Sequence, residues 1–190
     1  MIEELRAAAR GVLALVIGDR KAPDFFDFSQ RGLVGSFIAF LAVTGINAAL
    51  PALLNLGGGA SIFRAVMMIA ILFTFQIAFS AIVLRQLKRL DGLIPYLVAD
   101  NWATFFVTLI STGLALVGFG GDMTLIVIGI LVIVIEINIA RLIVTLAPLQ
   151  IAMFLVAQLV GVSVGLILVG IAFPLSPAEL EAIAVSTPPA

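Results

Sequence analysis

Neither cysteine nor histidine occurs in this 190-residue chain, and charged residues make up only 11% of it. Their absence removes disulfides, thiol nucleophiles, zinc sites of the usual ligand types, histidine-held haem and imidazole proton shuttles. Apart from the adjacent Glu3 and Glu4, the acidic residues are scattered along the chain and form no local metal-binding cluster. A water-soluble domain carries about 25% charged residues, so this chain has too few to cover a surface that faces water. Met1–Arg10 holds four charges of mixed sign and leads into no apolar core with a small-residue cleavage site, unlike a signal peptide.

What is abundant is apolar: 63% of residues are hydrophobic and the mean hydropathy is +1.28. Hydrocarbon accepts Leu, Ile, Val and Phe side chains without penalty, so the composition predicts an all-α polytopic membrane bundle. Five apolar stretches, at about Gly32–Leu54, Ile62–Leu84, Leu97–Val117, Met123–Leu146 and Pro148–Phe173, are each near the ~20 residues that a ~30 Å hydrocarbon core requires. Gly57–Gly59, the Arg85–Pro95 segment with its Asp91-Gly92 turn, Phe119–Asp122 and the Ala147-Pro148 hairpin separate them.

Before the bundle, Met1–Val16 reads as an amphipathic helix that lies in the membrane interface or packs on the cytosolic end of the bundle. Ile2, Leu5, Ala9, Val12, Leu13 and Val16 share one face, and Glu3, Arg6 and Arg10 another. Gly18 is its expected stop, and Ser29 the expected N-cap of the first span. Three regions follow: a cytosolic helix and aromatic linker over 1–31, the five-span bundle over 32–173, and a short polar tail over 174–190 with an acidic helical candidate at Pro177–Ala184. Nine Lys and Arg residues (Arg6, Arg10, Arg20, Lys21, Arg31, Arg85, Lys88, Arg89 and Arg141) fall on the side of the N-terminus, and Arg64 falls on the other. By the positive-inside rule, this distribution predicts a cytosolic N-terminus and a periplasmic C-terminus in a bacterial inner membrane.

Polar groups are costly inside a bilayer, so each intramembrane one is a candidate site. Asp100, Thr104, Thr108 and Thr112 recur at four-residue spacing as one polar stripe on the third stretch. It serves either interhelical hydrogen bonding or a solvated, ion-conducting lining. The fourth stretch holds Glu136, Asn138 and Arg141. Counted from Met123, Glu136 comes about 20 Å along, just past the midplane, and Arg141 about 7 Å further, level with Asp100. Asp100 and Arg141 can therefore share a depth and pair, although Arg141 more naturally joins Asn138 and Thr145, three and four residues away. Glu136 has no cation at its depth and shares it with Gln76, Thr108 and Gln158. A carboxyl with neutral partners alone favours its neutral form, leaving a structural hydrogen-bonding group, a proton or cation relay, or a contact to a partner as its roles.

Gly161 and Gly165 form a small-xxx-small face suited to close helix packing, a pointer to oligomerisation. Phe25, Phe26, Phe28, Tyr96 and Trp102 map near the cytosolic interface and read as interfacial anchors. The basic N-terminal helix, the Phe25–Ser29 aromatic-acidic linker, five spans and a closing hairpin with Arg141 and Pro148-Leu149-Gln150 near its turn resemble the bacterial Yip1-like inner-membrane proteins. The resemblance rests on architecture and implies no catalytic residue.

The leading expectation is a non-enzymatic membrane scaffold or accessory subunit. It would have no cofactor or metal, would sit among membrane lipids, would associate with a membrane-protein partner or with itself, and would bind no nucleic acid. The alternative is a small oligomeric proton, ion or solute transporter working through Glu136 and Asp100.

Overall fold

The computed structural model describes residues 2–53 and 62–174, and among these it is helical without a strand. Six α-helices follow one another: α1 Ile2–Ile17, α2 Gln30–Leu53, α3 Ile62–Gln86, α4 Leu93–Leu116, α5 Asp122–Asn138 and α6 Pro148–Ala172. Short 3₁₀ turns at Ala22–Phe25 and Leu90–Gly92 precede α2 and α4, and a π-helical turn at Ile139–Ile143 extends α5. Five helices, α2 to α6 with the π turn counted into α5, are long and apolar enough to cross a membrane. The Gly57–Gly59 loop and the polar tail with its Pro177–Ala184 candidate lie outside the described residues.

In a bilayer the least apolar span belongs in the middle, where other helices can satisfy its polar groups. That span is α4, with a mean hydropathy of 1.4 against 2.0, 2.4, 2.6 and 2.5 for the others. Its residues Val98–Ala103 are all buried. Packing against α2 along one side, it also meets α1, α5 and the π turn. The α3–α6 pair is the other extensive contact. There Gly161 and Gly165 bring two backbones together: a Cβ on Gly161 would lie 2.9 Å from the Phe75 carbonyl oxygen, and one on Gly165 would lie 3.4 Å from Leu72 Cα. The small-residue face is thus occupied by α3 of the same chain, so it no longer points to a second copy.

Local sequence explains the helix ends. Ser29 caps α2, its Oγ accepting the Gly32 N–H at 3.3 Å, while its own N–H donates to Asp27 Oδ1 at 2.9 Å. Hydrogen bonding from the Ser29 hydroxyl and N–H holds the exposed Asp27 carboxyl below the ordinary carboxylate range. Gly18 ends α1 at φ +71°, with the Asp19 N–H returning to the Ala14 carbonyl at 2.9 Å. Gln150 Oε1 accepts the Ala147 N–H at 2.9 Å ahead of Pro148, the first residue of α6.

Two span boundaries differ from the sequence expectation. The third span starts at Leu93 rather than Leu97, because Pro95 sits in the first turn, where backbone N–H groups have no intrahelical partner and proline is tolerated. The fourth leaves regular α geometry after Asn138 and turns out at Thr145, whose φ is +58°. Arg89 secures that end, donating to the Val144 carbonyl at 2.6 Å, to the Thr145 carbonyl at 3.0 Å and to the Thr145 hydroxyl.

The helix α1 has a buried side and an exposed one. Ala8, Gly11, Val12 and Leu15 are buried against the bundle, and Glu3, Arg6 and Arg10 are exposed. Ile2, Leu5, Leu13 and Ile17 are exposed as well, on the side that carries these charges, so the expected separation into an apolar and a charged face is not seen. Gly11 leaves room there for Phe26: a Cβ on it would lie 2.6 Å from the Phe26 ring.

Candidate functional site

Asp100 of α4 and Glu136 of α5 face each other inside the bundle, their carboxyl groups within hydrogen-bonding reach. Asp100 is 6% exposed. Both line a cavity of about 140 Å³ with Thr104, Thr108, Ala103, Val107, Val132 and Ile135. Three members of the polar stripe therefore open on one space with Glu136, and Thr112 continues the same helical face beyond it.

Polar side chains from the other two helices complete the cluster. Gln158 of α6, 8% exposed, donates from Nε2 to Glu136 Oε2 at 3.4 Å. Tyr96, one turn before Asp100 on α4, is fully buried and accepts a hydrogen bond from Gln76 Nε2 of α3 at 3.2 Å. The Phe154 ring meets Tyr96 edge-on with centroids 5.1 Å apart, closing the apolar side of the cluster. Four helices thus each place at least one polar group in a common interior.

Two carboxyl groups in such contact repel each other when both are ionised in an apolar interior, and a bound proton or cation relieves that repulsion. The lining of carboxyl and hydroxyl oxygens also suits a hard monovalent cation. Among the described residues no group of three His, Cys, Asp or Glu side chains that could hold a metal ion occurs.

Arg141 takes no part. It is exposed, and among the described residues no ion pair joins it to Asp100. Its other expected neighbours are engaged elsewhere: Asn138 Nδ2 donates to the Leu15 carbonyl of α1 at 2.7 Å, and Thr145 is held by Arg89. The expected Asp100–Arg141 pair gives way to Asp100–Glu136 because both span boundaries shift. With α4 starting at Leu93 and the fourth span ending by Ile143, each acid lies seven residues, roughly 10 Å, inside the same end of the bundle.

Of the aromatic residues expected at the interface, Tyr96 and Trp102 are buried in the bundle instead. Tyr96 belongs to the polar cluster, and Trp102, 6% exposed, packs on Phe105 and Phe106 with centroids 5.8 and 6.1 Å away. Phe26 is buried under α1 and stacks on the half-buried Phe28, and the Arg10 guanidinium sits 5.7 Å from the centroid of the half-buried Phe25 ring. Gly161 and Gly165 pack on α3 as described.

The sequence reading missed the place of Tyr96 in the cluster, although its four-residue spacing from Asp100 puts both on one face of α4. It also missed Asn101, 1% exposed, which donates to Ser36 Oγ of α2 at 3.2 Å. Compared with family models, curated proteins and solved structures, the chain has no match.

Proposed function

We propose that this chain is a small transporter that binds and releases a proton at the Asp100–Glu136 pair, the alternative weighed from sequence. The observation that carries it is the meeting of two carboxyls, with no cation between them among the described residues, on a cavity lined by Thr104 and Thr108. A structural role for one carboxyl needs a neutral or cationic partner. A second carboxyl adds repulsion that only a bound proton or cation removes.

The stripe gives the site a direction. From Asp100 to Thr112, hydroxyl groups at four-residue steps run about 18 Å along α4, away from the end that carries α1. On the near side, Tyr96 and Gln76 lead towards that end. Gln158 holds Glu136 in place and donates to whichever oxygen is free of the proton.

The membrane assignment to a bacterial inner membrane, with the α1 end in the cytosol, is part of the proposal. It is supported by the nine positive residues on that side. The exposed Ile2, Leu5, Leu13 and Ile17, flanked by Arg6 and Arg10, support α1 as an interfacial helix. The Yip1-like resemblance stays within the proposal as a likeness of architecture.

Flux measured in proteoliposomes tests the reading. Wild-type protein is expected to move protons or a coupled cation. Glu136→Gln should abolish that movement at unchanged thermal stability, since Gln keeps shape and hydrogen bonding but cannot ionise. Absence of flux from the wild type, or full flux from Glu136→Gln, would overturn it.

The accessory-subunit reading keeps one supporting observation. The outer part of α5 exposes Met123, Leu125, Ile126, Val127, Ile130 and Ile133 around most of its circumference, each more than half accessible. That surface suits lipid or a neighbouring subunit, and a transporter that works as an oligomer would use it too.

A further inference from the structure

Between α1, α2 and α4 lies a groove of about 510 Å³, within the ~300–1,000 Å³ usual for ligand sites. Its charged residues are Glu4 and Arg31; the rest of its lining is apolar, including Val34, Ile38 and Ala42 of α2 and Trp102 of α4. Arg31, Val34, Ile38 and Ala42 follow at three- and four-residue steps on one face of α2. The run is about 16 Å long, close to half of a ~30 Å hydrocarbon core. The groove is thus charged at the end of the bundle that carries α1 and apolar for the depth of one leaflet.

At its charged end one oxygen of Glu4 has no partner. Glu4 Oε1 is buried and receives no hydrogen bond. It rests on the bare backbone of α2, where a Cβ on Gly35 would collide with it. With Oε1 shut against Gly35, the Glu4 carboxyl has its other oxygen to offer a cationic donor from the groove. Arg31, exposed beside the same groove, presents a guanidinium fork suited to phosphate.

We propose that the groove binds one phospholipid with a primary-amine head group. The ammonium donates to Glu4, the phosphate meets Arg31, and one acyl chain lies along Val34, Ile38 and Ala42. The charge order fits a zwitterionic amine lipid: the hydroxyls of phosphatidylglycerol bring Glu4 a neutral donor and no cation, and a quaternary head group has no N–H to give.

The experiment uses the full chain, delipidated in detergent and then titrated with phosphatidylethanolamine, phosphatidylcholine or phosphatidylglycerol of the same acyl composition. Lipid retention is read by native mass spectrometry and by thermal shift. Phosphatidylethanolamine is expected to be retained at one molecule per chain, at least tenfold more strongly than either other lipid. Glu4→Gln should erase that preference with the helical content unchanged. Val34→Trp, at a lipid-accessible position, should fill the groove and reduce retention of every head group. Equal retention of all three lipids, or a preference untouched by Glu4→Gln, would overturn the proposal. Preferred retention of phosphatidylglycerol would overturn it as well, by assigning recognition to Arg31 alone.

Discussion

Asp100 lies seven residues past Leu93, the first of α4, and Glu136 seven residues before Ile143, so two carboxyls from antiparallel helices meet at one depth. Around them Tyr96, Gln76 and Gln158 supply donors and acceptors from α4, α3 and α6. Between this level and the end of the bundle that carries α1, Leu84, Tyr96, Val98, Ile139, Val144 and Phe154 are all fully buried. Rigid packing next to a charge-bearing pair is what a preorganised proton site requires.

Tyr96→Phe removes the oxygen that accepts from Gln76 Nε2 and leaves that amide donor unpaired. A loss of about 1–3 kcal/mol is expected, seen as a lower midpoint in thermal unfolding in detergent. A Tyr96 that merely anchored the protein at the lipid interface would tolerate Phe with little change.

Gly161→Val should push α6 off α3, because the added Cβ would lie 2.9 Å from the Phe75 carbonyl oxygen and cannot move it cheaply. Overpacking of this kind costs about 1–3 kcal/mol. On α5, Gly129 has nothing within 4 Å of its would-be Cβ. Gly129→Ala is accordingly expected to be neutral or to stabilise by about 0.5–1 kcal/mol, giving the opposite sign in the same unfolding assay.

Arg89 and Arg141 should separate sharply. Arg89→Gln loses the guanidinium bonds to Val144 and Thr145, and hydrogen bonds of a charged group are worth about 1.5–3 kcal/mol. Arg141→Gln, at an exposed position, is expected to be nearly silent. In a double-mutant cycle Asp100→Asn and Arg141→Gln should add within about 0.5 kcal/mol. A large coupling between them would restore the ion pair that the structure replaces with Asp100–Glu136.

Acid should loosen the start of α2. The Asp27 carboxyl is held below its ordinary value by the Ser29 hydroxyl and N–H. Its contribution is therefore fully present above the unfolded-state value and is lost as pH falls through the lowered folded-state value. Once exchange chemistry is corrected for pH, the Ser29 and Gly32 amides are expected to lose protection over that window. Asp27→Asn should remove the pH dependence.

Much of this was legible in the sequence, for reasons that particular residues show. The five long apolar spans follow from composition, because lipid demands it. Ser29 and Gly18 mark helix ends through local backbone chemistry. The four-residue stripe from Asp100 to Thr108 faces one cavity because helical periodicity sets a common face. The pairing of Asp100 with Glu136 was hidden by span boundaries alone. A proline in a first turn and a π-helical exit from α5 each shift the depth scale by several residues, and hydropathy does not mark either. Interior aromatics such as Tyr96 and Trp102 look like interfacial anchors in sequence, since depth alone does not say which way a side chain faces.

The central claim is that Asp100 and Glu136 share a proton that can leave. Infrared difference spectroscopy of the protein in lipid, recorded across a pH titration, observes that proton through the carbonyl stretch of a protonated carboxylic acid. The account predicts such a band at neutral pH. It should disappear reversibly as pH rises, shift when Gln158→Leu removes the donor to Glu136, and be missing from the Asp100→Asn, Glu136→Gln double variant. A spectrum with no protonated carboxyl at neutral pH, or a band that persists in the double variant, would contradict it.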